Sequence, residues 1–432
     1  MARSWNGADI VASEKVSPDD NVRFQLGAEL EQRRIMQHEY ESQIREKRRR
    51  HMAIAVGDLR NLRVDQVGAL RAPASLRQLF EKREIEEVSE KTFVAAREKA
   101  IAEIIHKQEE IGLPVVTDGE LRRRNFQDSF HTAVRGFSPR KAMGPGENVS
   151  QQPYTRTESA GSRRWPVTEK LSLERNVPLE EFRRSAAMAT NPVKVTLLSA
   201  DRIADQFDPT GAIYTDVEEF IADVVAIERA MIAELVAVGC RYIQIDAPGY
   251  TSYVDDISIS EMRSIGEDPE KRLARSIAAD NAVIAGFDGV VFGLHVCRGG
   301  ARTLDPKTGK VAPQWHREGY YDAIAEQLFS ELHHDRLLLE YDSERAGSFA
   351  PLRFVPKEKV AVLGLVTTKS PDIESSDELR RRIDEAAVYL PLDNLALSPQ
   401  CGFGGYRKIA IEEDLQWKKF EVIVETARAI WD

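Results

Sequence analysis

The chain has 432 residues, 42% of them hydrophobic and 30% charged, with a formal net charge of −10. That is the composition of an ordinary globular protein with a full-sized core, and the acidic balance excludes a chain built mainly to hold nucleic acid, whose phosphates call for a basic face. Three dispersed cysteines (Cys240, Cys297, Cys401) are no disulfide framework, no apolar signal region opens the sequence, and no apolar run reaches the roughly 20 residues of a membrane helix, so the expectation is a cytoplasmic protein acting on small molecules.

Residues 1–52 are polar and highly charged and close on a basic run from Arg45 to Arg50. Leu26, Leu30, Ile35 and Ile44 give this stretch only a thin helical stripe. It reads as a partly helical N-terminal extension, solvated or forming the contact of a homo-oligomer, in preference to a nucleic-acid arm.

From residue 62 onwards short apolar runs alternate with long amphipathic segments, the pattern of repeated βα units around a parallel sheet. Eight strands are expected, over 63–70, 114–120, 192–198, 242–248, 290–297, 336–342, 359–366 and 394–398. Helices are expected over 89–111, 217–238, 269–286, 320–333, 377–390 and 409–431. Two helix starts carry capping boxes, Thr215 with Glu218 and Ser375 with Glu378. Eight βα units close a TIM barrel, and Val67-Gly68-Ala69-Leu70 is no glycine-rich dinucleotide turn of an open sheet. The expected fold is therefore an α/β TIM (β/α)8 barrel over residues 53–432, with the N-terminal extension before it. One long insertion, 121–191, follows the second strand and reads as a lid-like subdomain over the barrel mouth. Arg122, Arg123 and Arg124 at its start suit either the steering of an anion or a solvated hinge.

The run VVFGLHVCRGG, 290–300, ends in His295 and Cys297, which project from one face of a strand. RLLLEYD, 336–342, offers Glu340, and NLALSPQCG, 394–402, offers Cys401. In a barrel, C-terminal strand ends share one mouth, so these four groups converge. Singly, each has a bland reading, a buried thiol being more often a small hydrophobe and a strand histidine a core residue. Together, two thiolates, an imidazole and an exchangeable carboxylate suit zinc. Cys240 reads as packing, and His333 and His334 lie at the opposite end of the barrel. Because two thiolates already quench the ion's Lewis acidity, the expected chemistry is the binding and alkylation of a further small thiol, which alone, with a pKa near 8.5, is mostly protonated at neutral pH. Glu120 and Asp246 end two other strands, and two carboxylates in the same mouth suit an ammonium group; the alternative is that each caps a loop or meets a local arginine.

With these residues assembled, the chain resembles the catalytic barrel of the cobalamin-independent methionine synthases, and more closely their single-barrel relatives called methionine synthase II. The resemblance runs from about residue 63 to 407 and rests on VGALRAP (67–73), TDGELRRRNF (117–126), IQIDAPGY (243–250), LHVCRGG (294–300), LLLEYD (337–342), VTTKSPDIES (366–375) and SPQCGFG (398–404). It implies a zinc-dependent methyltransferase with His295, Cys297, Glu340 and Cys401 as ligands, and Glu120 and Asp246 on the amino group of homocysteine. The turn around Gly68 and Ala69 would receive the carboxylate, with Ala69 in place of the usual serine leaving a backbone contact only. Lys369 stands where the long enzymes carry a histidine that protonates the leaving folate nitrogen. The second barrel of those enzymes is missing, so the resemblance leaves the methyl donor open among a methylfolate, a methylated corrinoid and another methylated small molecule. Two rivals remain at this stage: a thiol:epoxide transferase resembling epoxyalkane:coenzyme M transferase, and a zinc- or thiol-binding barrel without turnover.

Overall fold

The computed structural model describes residues 56–124, 126–137, 165–205, 207–208, 213–298, 319–406 and 411–432. The expected N-terminal extension, 1–52, and the centre of the 121–191 insertion lie outside the described residues. An antiparallel pair, β1 (Val134–Phe137) and β2 (Trp165–Leu173), comes first in the chain. The main sheet is wholly parallel, with β3 (Lys194–Leu198), β5 (Tyr242–Asp246), β6 (Val291–Val296), β7 (Arg336–Glu340), β8 (Val360–Val366) and β9 (Leu395–Pro399) side by side in chain order. The intervening β4 (Phe207–Asp208) pairs with β2 instead. Every residue of the six main strands is buried, as expected of parallel strands covered on both faces.

The first two expected strands are reduced to single bridges, Val64 to Leu397 beside β9 and Val116 to Val193 beside β3. The reason is local competition for the backbone. Asp65, Thr117 and Asp118 turn their side chains onto the N–H groups of Gln66, Gly119 and Glu120, which a ladder would otherwise use. The two bridging segments also meet each other, where the Leu70 N–H donates to the Gly119 carbonyl at 3.1 Å.

The helices between the strands follow their sequence signals closely. Ser89 caps Glu90–Ile111 by accepting from the Thr92 N–H, and Gly112 closes it in the left-handed conformation. Ser375 caps Ser376–Ala387 as expected, although Glu378 spends its carboxylate on Arg381. The other expected box is shifted by one residue: Asp216 accepts from the Glu219 N–H, and Glu219 reaches back to Thr215. The expected helix over 320–333 is split into a turn, Tyr321–Ala323, and a short helix, Ala325–Glu331. Within the 121–191 stretch lies the helix Val177–Met188, started by Asn176 and packed on β3, Glu90–Ile111 and Val217–Ala237. It occupies the crossover between the Val116 segment and β3.

The period of two along each strand sorts its side chains into tiers. The lowest tier is ionic: Asp65 lies 2.6 Å from the Lys194 Nζ and 3.1 Å from Arg336, all three with fully buried side chains, and accepts from the Tyr242 hydroxyl at 2.5 Å. Above it an apolar cluster gathers Val67, Leu338, Val360, Val362 and Ala396. The top tier holds Asp246 and Glu340, each four residues beyond Tyr242 or Arg336 on the same strand, with His295 opposite Asp246 on β6.

Candidate active site

Asp246, the last residue of β5, is directly opposite His295 in the ladder with β6. Cys297 follows one residue beyond β6, Glu340 ends β7, and Cys401 stands two residues beyond β9. The sequence-predicted quartet converges: one ligand atom from each of His295, Cys297, Glu340 and Cys401 lies within 4.8 Å of the others. The two sulfurs are 3.8 Å apart. His295 and Glu340 are buried, and Cys297 and Cys401 are half-buried.

The donor set fits a metal ion of the zinc type. His295 Nδ1 donates to the Leu338 carbonyl at 3.4 Å, while its buried Nε2 has no hydrogen-bond partner. With Nδ1 oriented by the Leu338 carbonyl, Nε2 is the nitrogen available to a metal ion. The cluster favours positive charge. Burial opposes protonation of His295, yet the Cys297 sulfur and the Asp246 and Glu340 carboxylates together raise it to about 9. Hydrogen bonding to Cys401, followed by burial, pushes the Cys297 thiol well above its ordinary range, so it needs a cation to ionise.

Glu340 has further partners that the sequence did not announce. Its Oε1 accepts from the Arg298 N–H at 3.0 Å, and its Oε2 lies 3.2 Å from Arg345 and 3.5 Å from Lys369. Lys369 also lies 3.8 Å from Asp342. Burial pushes the carboxyl up, but Lys369, His295 and Arg345 together hold it below its usual range.

Glu120 sits in the turn 117–120 with φ of 56°, preceded by Gly119 at 67°. Two consecutive left-handed residues are rare for a non-glycine side chain, and here they swing the carboxylate into the mouth. Burial, then the facing Asp246 carboxylate, pushes Glu120 up to about 8, and burial raises Asp246 as well. Glu120 lines a narrow cavity with Gln66, Thr117, Lys194 and Thr196. Arg123, which lines the same cavity, acts on both acids in the opposite direction.

The arginines expected to steer an anion do not face the mouth as free cations. Arg122 is paired with Glu98 at 2.6 Å and Asp118 at 3.0 Å, Arg123 with Glu181 at 2.6 Å, and Arg124 with Glu84 at 3.0 Å. Arg123 is also hydrogen-bonded to Thr196, so it anchors the turn to the sheet. Neither the steering role nor the solvated hinge describes Arg122 and Arg123, whose side chains are nearly inaccessible; their charge is spent on the half-buried Glu98 and the buried Glu181.

The Gly68–Ala69 turn touches the Cys401 loop backbone to backbone. A Cβ on Gly68 would meet the Gly402 nitrogen at 2.9 Å, a Cβ on Gly402 would meet the Ala69 nitrogen at 2.5 Å, and the Phe403 N–H donates to the Ala69 carbonyl at 2.6 Å. Both glycines are therefore required by close approach. Cys240 is buried with its thiol on the Tyr242 carbonyl, and His334 is buried just ahead of β7, away from the mouth, as expected for both.

The sequence profile of the cobalamin-independent synthase catalytic domain matches residues 62–297 and 320–421. The chain belongs to the cobalamin-independent methionine synthase family. Membership places it among methionine synthase-like methyltransferases, whose substrates are small molecules. Among curated relatives, the uncharacterized protein YxjH of Bacillus subtilis is 32% identical over 85% of this chain and 94% of its own length. The methionine synthase of Pyrococcus abyssi is 24% identical over 78% of this chain and 84% of its own. In fold, the chain is similar to the putative vitamin-B12 independent methionine synthase of Listeria monocytogenes, with a TM-score of 0.64 at 24% identity over 86% of this chain and 98% of that one. It is also similar to a B12-independent methionine synthase from Shewanella sp. W3-18-1 in complex with selenomethionine, with a TM-score of 0.62 at 18% identity over 85% and 97% of the two chains. No helix among the described residues is long and apolar enough to cross a membrane.

Proposed function

We propose that the protein is a zinc-dependent S-methyltransferase that methylates a small amino-acid thiol, homocysteine first among them, inside a closed (β/α)8 barrel. Closure rests on the two edge segments: each bridges one end of the six-stranded sheet, and they are tied together through Leu70 and Gly119. The observation that carries the functional reading is the convergence of His295, Cys297, Glu340 and Cys401 next to the facing carboxylates of Glu120 and Asp246.

Zinc held by these four residues would supply one thing: it keeps an incoming sulfur deprotonated and nucleophilic at neutral pH. The chain's own groups do the rest. Glu120 and Asp246 receive the ammonium group, and the Gly68–Ala69 backbone receives the carboxylate, which together fix the sulfur end relative to the cysteines. Lys369 and Arg345 neutralise Glu340 and Asp342, so the one carboxylate among the four groups that would hold zinc is steadied by fixed cations. A further role for Lys369, carrying a proton to a leaving group, is secondary to its pairing with Glu340 and Asp342. The Shewanella relative in complex with selenomethionine, the selenium counterpart of the expected product, supports an amino-acid ligand. The donor class stays open among a methylfolate, a methylcorrinoid and another methylated small molecule. Retention of both acids speaks against the epoxide-opening alternative, whose sulfonated thiol carries no amine.

Asp246→Asn is expected to weaken homocysteine binding by roughly 30-fold or more, because losing one partner of a buried charge pair costs about 2–5 kcal/mol. The desamino analogue 4-mercaptobutanoate should be nearly unaffected, and calorimetric titration of both thiols reads the difference. Equal losses would undo the amino-acid reading.

A pH dependence follows with a definite sign. Glu120, with its carboxyl raised to about 8, is protonated at neutral pH before the ligand arrives and must ionise to meet the ammonium. The preference for homocysteine over 4-mercaptobutanoate should therefore grow between pH 6 and about 8, by at most about tenfold per unit for one released proton, and level off above. A ratio independent of pH would remove Glu120 from the amine site.

A further inference from the structure

We propose that Gln244 is a positioning residue that sets the amine-binding and carboxylate-binding elements in one fixed register; the proposal rests on the amino-acid thiol reading above. Gln244 is completely buried in the middle of β5, two residues before Asp246 and on the same strand face. Its side-chain oxygen accepts from the Lys194 Nζ at 2.8 Å. The Lys194 ammonium has donors only, so the amide has one permitted orientation, with the oxygen towards Lys194 and the NH2 towards the mouth. That NH2 makes two bonds of 2.7 Å, one to the Val67 carbonyl and one to the Asp246 Oδ1.

The consequence is a coupling of two binding elements through one side chain. The bond to Asp246 occupies Oδ1 and leaves Oδ2 for a ligand ammonium. The bond to Val67 fixes the peptide that leads into Gly68 and Ala69, the turn that receives the carboxylate. Lys194 cannot rotate away, because Asp65 holds it from below at 2.6 Å. The ionic tier at the bottom of the sheet thus reaches the mouth through Asp65, Lys194 and Gln244, and sets the spacing between the acceptor of the amine and the acceptor of the carboxylate. That spacing selects an α-amino acid over a simple thiol.

The test compares four thiols on the zinc-loaded protein by calorimetry: homocysteine, 4-mercaptobutanoate, 3-mercaptopropylamine and 1-propanethiol. The gain of each charged ligand over 1-propanethiol is its amine or carboxylate increment. Gln244→Met keeps the volume and removes both donors; Gln244→Glu keeps the acceptor for Lys194 and turns the donor side into a carboxylate oxygen. In both variants each increment is expected to shrink by about tenfold or more, the usual cost of losing an outer-shell orienting bond, with the affinity for 1-propanethiol unchanged. A merely structural role would weaken all four thiols together or none, and either pattern overturns the proposal. If Gln244→Met fails to fold, Gln244→Glu decides alone. If the unaltered protein shows no increment for either group, the amino-acid reading itself falls and takes the proposal with it. Native increments with unchanged increments in the variants overturn the positioning role only.

Discussion

Cys297→Ser is expected to leave a folded protein that no longer retains zinc and no longer alkylates a thiol. The fold should survive because Cys297 lies beyond the end of β6 and its side chain is partly open, so the six-stranded sheet does not depend on it. The metal should not, because a hydroxyl is a far poorer zinc ligand than a thiolate and the three remaining donors include a carboxylate already shared with Arg345 and Lys369. Metal content should fall from about one ion per chain to nearly none, since ligand set and binding free energy stand or fall together. Cys401→Ser should behave alike, its sulfur lying 3.8 Å from that of Cys297. Elemental analysis beside a thiol-methylation assay checks both, and full activity in a metal-free variant would refute the mechanism.

Asp65→Ala is expected to be the most destabilising single change in the chain. It would strand Lys194 and Arg336, both without solvent exposure, next to each other with no counterion. Breaking a buried pair from one side costs about 3–5 kcal/mol, because the remaining charge keeps its desolvation penalty. The Tyr242 hydroxyl would lose its acceptor as well. By contrast, removing the exposed Glu378 from Arg381 should leave stability nearly unchanged. Urea denaturation of the two variants side by side checks the ranking; similar midpoints would mean that the ionic tier is not what ties the strands together.

The site was more legible in the sequence than the framework that aims it. His295, Cys297, Glu340 and Cys401 could be placed because strand periodicity and the shared C-terminal end of parallel strands are simple geometric rules, and both hold here. The helices were readable for a similar reason: caps such as Ser89 and Ser375 act within four residues. The failures came where side chains compete with the backbone or bond over long distances. Strands over 63–70 and 114–120 look ordinary by composition, yet Asp65, Thr117 and Asp118 turn onto the main chain and cut each to a single bridge. The left-handed Glu120 has no signature beyond the glycine before it. Arg122 and Arg123 looked like a free basic patch because their partners Glu98 and Glu181 are 24 and 58 residues away. One signal was present and unread: a charged residue inside an apolar strand, as with Lys194 and Arg336, demands a buried counterion. Asp65 is that counterion.

On the proposed function, the site holds a zinc ion through two sulfurs and admits a third from the substrate. Zinc-edge X-ray absorption on the purified protein, with and without homocysteine, tests it most directly. The expected site shows the two sulfurs of Cys297 and Cys401, rising to three when homocysteine is added. A protein that takes up no zinc, or one whose sulfur count stays the same in the presence of the thiol, would contradict it.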